Sequence, residues 1–525
     1  MLDVLIANGL IIDGTGSPGF YGAVGIEGDT VRILRGDVAA VQAARTIDAS
    51  DHVVCPGFID VHAHSALMIL ANPEHEPKVR QGVTTELHGI DGNSYAPFFD
   101  PKDFDRFYQL NSGLEGAPEL PGRWSTVAEY LDMYHRKVAV NVCYVVGNSP
   151  LRIATVGWDN RPPTDKDLAN MASLLREALE EGAFGMSTGL DYPPGNYADT
   201  NELVELSRVA ARLGGIYHTH CRHKLGDRSL DPFKEAIEIG RRSGIAAHIT
   251  HYYQRVGSPA GAEQLLGLVE DARDEGLDVT FDSYPYIYSS TRLLILFPDW
   301  VHEGGPERIV AAFRDPEARE RLRREVTPRA ASWQDMWVTY FKKHHNHKYE
   351  GRSIAELALM MNKHPVDAMM DLLLDEDLQT SYVSAGGSVN TLPKFVAHPL
   401  SMVGSDAVLL GEFPSPRTYG CFPIILAHYV REEKWLSLPE AIRKMTSFPA
   451  QRLGLPDRGL LRDGFKADVV VFDAQNVRAP ATRANPKQFP VGIEYVLVNG
   501  QVVVDRGAHT GALAGRALRR GRAST

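Results

Sequence analysis

The sequence predicts an α/β protein: a TIM-like (β/α)₈ barrel joined to a composite β-sandwich made by its N- and C-terminal segments. Three observations carry this expectation. Apolar strand-like runs alternate with helical patterns through the middle of the chain, eight such runs can be counted, and short alternating β texture recurs at both ends. A chain of 525 residues also exceeds the size at which one core keeps growing, which favours a large domain with a smaller satellite.

The end segments come first. Residues 4–7, 9–13 and 31–34 alternate apolar and polar positions between turn signals, as antiparallel strands do. The texture returns at 468–472 and 496–505, where Val498-Asn499-Gly500-Gln501 reads as a hairpin turn flanked by valines. Residues 1–55 and 459–510 are therefore expected to form one sandwich enclosing a barrel over 56–458.

The barrel strands are expected at 57–64, 82–90, 140–146, 182–188, 215–220, 245–251, 278–282 and 401–406, with helical patterns such as 165–181 and 231–242 between them. The interval 287–400 is too long for one βα connection and is expected to carry helices of its own, as a lid or subdomain over the barrel mouth. Residues 511–525, with the basic run 516–522, are expected to be a solvated tail.

A net charge of −11 excludes nucleic acid as a partner, because phosphate binding needs a basic surface that releases counterions. The four cysteines, at 55, 143, 221 and 421, show neither a CxxC pair nor a secreted-domain framework, which fits reduced, buried thiols. No apolar run reaches bilayer length and no signal-peptide pattern opens the chain. The expectation is a cytoplasmic enzyme without a membrane partner, its homo-oligomeric state open, acting on a small molecule.

Barrels of this kind build their active site at the C-terminal strand ends, and the polar residues cluster there. His62 and His64 end the first strand in Pro-Gly-Phe-Ile-Asp-Val-His-Ala-His; strand side chains repeat every two residues, so both imidazoles share a face about 7 Å apart and can share a metal. His220 ends the fifth strand, His251 the sixth and Asp406 the eighth. Imidazole with carboxylate suits zinc, manganese or iron. Glu86, His88 and His218 share the inward parity and are expected to support ligands, whereas His344, His345 and His347 fall in a polar stretch expected to be a solvated loop.

This ligand set and its order resemble the amidohydrolase superfamily. Val79-Arg-Gln-Gly-Val-Thr-Thr, Met186-Ser-Thr-Gly-Leu-Asp-Tyr, Phe281-Asp-Ser-Tyr-Pro-Tyr, Pro416-Arg-Thr-Tyr-Gly and Met445-Thr-Ser-Phe-Pro-Ala-Gln-Arg-Leu-Gly resemble its N-acyl-D-amino-acid deacylase (D-aminoacylase-like) branch over nearly all of residues 1–510. The resemblance implies that His62, His64, His220 and His251 ligate one or two divalent ions, zinc foremost, and that Asp406 is the general acid/base serving a metal-activated water.

The departures from that branch are as informative. Asp91 stands where the deacylases have a bridging cysteine, and its two oxygens can bridge two ions. Tyr253 replaces a substrate-binding lysine past the sixth-strand histidine, Ser415 replaces a histidine, and Gly147-Asn148 replaces Gly-His. Arg417 remains and is expected to anchor a substrate carboxylate, with Tyr192 and Tyr284 beside the substrate.

The expected activity is metal-dependent hydrolysis of a C–N (amide) bond in a small carboxylate-bearing substrate. A cyclase of secondary metabolism, closing a heterocycle with loss of water, is the rival that fits the altered substrate shell. A non-catalytic scaffold is the other, and retention of every carried-over ligand type speaks against it.

Overall fold

The computed structural model describes residues 1–521, and each of the eight expected runs overlaps a barrel strand. The strands are Phe58–Asp60 continued by Ala63–His64, Val83–His88, Asn141–Tyr144 continued by Val146–Gly147, Gly185–Gly189, Ile216–His220, Ala246–Ile249, Val279–Ser283, and Ser401–Val403 continued by Ala407–Val408.

Pairing is parallel all the way round. The first, third and eighth strands each break into two short pieces and spend one piece on each neighbour. Phe58–Asp60 pairs with the second strand, while Ala63–His64 pairs with Ala407–Val408 to close the barrel. Those breaks free the backbone around His62 and Asp406, where side chains must turn into the mouth.

The helices follow from their caps and apolar stripes. Asp165–Glu180 starts on a reciprocal Thr164/Asp167 capping box. Asp231–Ser243 buries Phe233, Ala236, Ile237 and Gly240, at spacings of three and four, and stops at Gly244 with φ +75°.

The terminal segments meet as expected. Nine strands from residues 2–56 and 469–509 form one continuous sheet, in which Val53–Pro56 and Val469–Phe472 pair antiparallel across the junction. Val4, Ile6, Val24, Ile26, Ile47, Val469, Val471 and Leu497 pack in one apolar cluster between its layers. The Asn499-Gly500 turn takes φ +49° and +84°, the backbone that a two-residue hairpin needs to match strand twist.

Between the seventh and eighth strands the chain forms more than helices. Tyr288–Arg292, Met336–Tyr340 and Ser381–Ala385 make a three-stranded antiparallel sheet, with helices such as Pro306–Arg314 and Pro365–Asp375 around it. His344, His345 and His347 sit in a short helical turn of this insertion, and His345 pairs with Asp375 at 2.5 Å. Among the described residues no helix is long and apolar enough to cross a membrane, and all four cysteines are buried and unpaired.

The C-terminal stretch departs from expectation: it is docked, not solvated. Gly515 N donates to Val138 O and Leu518 N to Val142 O, both at 2.8 Å, adding the segment to the third barrel strand. Arg516 pairs with Asp29 at 2.6 Å and Arg519 with Asp132 at 2.7 Å, carboxylates distant in sequence, while Arg520 donates to Leu213 O; Arg522 lies outside the described residues. Leu518, 3% exposed, packs with Ile59, Leu87 and Cys143, on the face of the strands turned away from the barrel interior. Leu518→Ala should therefore cost about 2 kcal/mol or more in denaturant unfolding, where a solvated residue would cost nothing measurable.

Candidate metal centre

Six side chains from five strand ends converge at the barrel mouth: His62 and His64, Asp91, His220, His251 and Asp406. Asp91, His251 and Asp406 hold φ values of +54°, +34° and +47°, a left-handed backbone that non-glycine residues adopt at a cost and that aims each side chain inward. The Asp91 turn is pinned from below: a Cβ on Gly92 would stand 2.6 Å from Gly189 N and 2.7 Å from Asn148 Oδ1, so only glycine lets the turn lie against the fourth strand.

The distances carry the fit to a metal. Asp91 Oδ2 lies 3.6 Å from His62 Nε2, 3.6 Å from His64 Nε2 and 3.4 Å from His220 Nδ1. Asp406 Oδ1 lies 3.6 Å from His62 Nε2 and 3.3 Å from His64 Nε2. Charge-assisted hydrogen bonds would be shorter, at about 2.7–2.9 Å. Two donors held at about 2.1 Å from one tetrahedral ion stand about 3.4 Å apart, which is the spacing seen. His62 Nε2, Asp91 Oδ1 and His251 Nδ1 are buried without a hydrogen-bond partner, a cost that an ion would offset. His62, His64 and Asp406 form one compact ligand group, and His62, Asp91 and His251 another, so the arrangement has room for two ions sharing donors.

Carboxylates hold the far side of the rings, and sequence reasoning missed them. Glu115 Oε1 meets His64 Nδ1 at 2.7 Å; Asp282 Oδ2 meets His62 Nδ1 at 3.3 Å, and its Oδ1 accepts from His251 N at 2.8 Å; Asp191 Oδ2 stands 3.6 Å from His220 Nε2. Such partners fix ring orientation and tautomer. Asp282 and Asp191 stood at strand ends in motifs already noted, whereas Glu115 ends a helix with no local signal.

Behind the centre, Lys78 pairs with Asp60 and donates to Ser405 Oγ at 2.7 Å, while Asp60 Oδ1 accepts from Ser405 N at 2.9 Å and His62 N at 3.1 Å. This buried clamp ties the first strand to the eighth beside His62 and Asp406. Glu86 joins Ser65 at 2.6 Å, His75 at 3.0 Å and His88 at 3.1 Å in the same layer, and His218 Nε2 meets Val61 O at 3.0 Å.

Burial disfavours protonation of His62, yet Asp91, Asp282 and Asp406 overcome it and raise its pKa to about 10. Burial opposes the charge on Asp406 too, but Arg417 and His62 bring its pKa down to about 2. Burial, with His220 adjacent, lowers His251 to about 3. The anionic field that holds a proton on His62 would equally hold a divalent cation, so proton and metal compete for these lone pairs.

Above the centre lies a narrow cavity of ≈70 Å³ walled by Tyr192, Tyr253, Tyr284, Tyr382 and the insertion's Ser289–Thr291 segment. The three expected tyrosines are there: Tyr284 OH donates to Tyr253 OH at 3.1 Å, and the Tyr192 ring packs 5.0 Å from that of His220. Arg417 lies behind this wall: it is fully buried, its Nη2 pairs with Asp406 Oδ2 at 2.8 Å, its Nη1 donates to Tyr288 O at 3.0 Å, and its guanidinium stands 4.1 Å over the Tyr284 ring.

Known proteins agree with this architecture. The profile of the "Amidohydrolase family" matches residues 45–504. The chain is 34% identical to the N-acyl-D-glutamate deacylase of Alcaligenes xylosoxydans xylosoxydans, over 99% of this chain and 97% of that one, and 34% identical to the D-aminoacylase of the same organism, over 99% and 98%. Among solved structures, the N-acyl-D-glutamate deacylase of Bordetella bronchiseptica, complexed with zinc and a phosphonate inhibitor, is 32% identical with a TM-score of 0.84 over 99% of each chain. A D-aminoacylase structure reporting on a binuclear metal centre is 30% identical with a TM-score of 0.82, covering 99% of this chain and all of that one. A closed eight-stranded barrel, a mouth ringed by imidazoles and carboxylates, and likeness along the whole length lead to one conclusion: the chain belongs to the amidohydrolase family, as a metal-dependent enzyme.

Proposed function

We propose that the chain hydrolyses the amide bond of an N-acyl amino acid bearing a free carboxylate, using one or two divalent ions, zinc foremost, held by His62, His64, Asp91, His220 and His251. The observation that carries this reading is the set of donor separations near 3.4 Å around Asp91 and Asp406, together with their unpartnered atoms. A divalent metal bound there would polarise the acyl carbonyl and make water nucleophilic at neutral pH.

The chain's own residues supply the rest. Asp406, beside His62 and His64, takes the proton from the attacking water and returns it to the leaving nitrogen. Arg417 keeps Asp406 ionised and aimed at the centre. Tyr192, Tyr253 and Tyr284 wall the cavity, their phenols offering hydrogen bonds to a polar substrate while their rings exclude bulk water.

The cyclase reading has no observation in its favour: relatives of nearly full length carry deacylase names. A cytoplasmic setting fits the unpaired cysteines. The test is product mass. Incubated with a panel of N-acyl-D-amino acids, the purified protein should release free amino acid and carboxylate, a gain of one water, and a chelator should abolish turnover until zinc is restored. Loss of one water, or turnover indifferent to chelation, would refute the reading.

A further inference from the structure

The narrow cavity over the metal centre adjoins a chamber of ≈680 Å³, and Tyr253, Arg255, Val256, Ile295 and Arg329 line both. Anything reaching the metals from that chamber passes these side chains. Two cations, Arg255 and Arg329, line both cavities, and they differ in whether a carboxylate already holds them.

Arg329 Nη1 faces Asp191 Oδ2 at 3.4 Å and its Nη2 donates to Ile295 O at 3.2 Å. Lys224, on the exposed side of the chamber, pairs with Asp299 at 3.0 Å, and Arg417 is bound to Asp406. Arg255 has no carboxylate partner among the described residues. Its Nη2 donates to His223 Nε2 at 2.8 Å, and its guanidinium stands 5.5 Å from the centre of the Tyr253 ring. That ring nitrogen accepts the bond and brings no carboxylate charge to the guanidinium. A partly buried guanidinium met only by an imidazole and a phenol ring keeps most of its fork free for a planar anion.

We propose that Arg255 reads the carboxylate of the substrate, holding it at the junction of the two cavities while the amide lies over the metal centre. This rests on the hydrolase reading and names the residue that selects for the acid. Tyr253 and Arg255, two residues apart on an extended segment, face the same cavity, so a cation at either position could reach the same anion.

The experiment is steady-state kinetics on an N-acyl-D-amino acid turned over by the wild type and on its carboxamide, for Arg255→Met, Arg255→Lys, Arg255→Met with Tyr253→Lys, and Arg417→Met. Arg255→Met should lose about 10- to 150-fold in kcat/KM on the acid, mostly through KM, and change little on the carboxamide. Arg255→Lys and the double variant should regain part of the preference for the acid, which also shows that these proteins fold. Arg417→Met should lose kcat on both substrates alike. Equal losses on acid and carboxamide in Arg255→Met, or no loss on the acid, would overturn the inference and leave the hydrolase reading standing. A wild type that releases no amino acid from any N-acyl substrate would remove that reading, and the inference with it.

Discussion

Asp406→Asn should lower turnover by about 10²- to 10⁴-fold while the fold and bound metal persist. Asn keeps the shape of the side chain and one oxygen toward His62 and His64, but it cannot hold a proton between attack and departure. Arg417 sharpens the expectation. With His62 and against the opposition of burial, it holds Asp406 below the usual carboxylate range, so this carboxylate is anionic and able to accept a proton at neutral pH. A proton carrier acts in the chemical step, so its loss should show in kcat with little change in KM. The amide also leaves Arg417 buried without its counter-charge, so the variant should melt lower than wild type. Near-normal turnover in a folded, metal-replete Asp406→Asn would remove the role assigned to it.

What the sequence made legible divides along physical lines. Strand ends could be read because period-two parity and apolar runs are local, and the metal centre is built at those ends; His62, His64, His220, His251 and Asp406 could be listed without coordinates. Asp91 was reachable for the same reason, since a Gly-Ile-Asp-Gly turn leaves a strand at a known place. The carboxylates behind the rings were not. Glu115 meets His64 across 51 residues of sequence and Asp282 meets His62 across 220, and no local pattern reports which ring a distant carboxylate will find. Arg417 shows what residue type leaves open: a guanidinium suits any carboxylate, and the structure seats it on the protein's own Asp406. The basic C-terminal run misled by composition, because its charges are met by Asp29 and Asp132, far away in sequence. The insertion between the seventh and eighth strands was placed by length alone, and its sheet could not be distinguished from the helices around it.

Asp91→Ala should strip metal from the centre, and by more than the 10- to 100-fold that losing a mere support of a ligand costs in affinity. Asp91 Oδ2 stands within 3.6 Å of nitrogens from three histidines on two strands, while Oδ1 has no partner in a fully buried site. Removing it leaves four imidazoles facing one another with one carboxylate fewer to balance a divalent charge. Strain must be separated from ligation, because Ala at a φ of +54° costs about 1–2 kcal/mol by itself. Asp91→Asn makes that separation: it tolerates the same backbone and loses only the charge and the second anionic oxygen. If Asp91 holds metal, both variants should lose bound ion and activity; if its role is the turn, Asn should behave as wild type. Asp91→Cys adds a third arm. Replacing a hard oxygen by a thiolate should restore binding but move preference toward zinc over manganese, since soft sulfur favours the softer ion. Metal content per chain, measured after loading with equimolar zinc and manganese, reads all three. Full occupancy in Asp91→Ala would end the assignment, whatever the kinetics show.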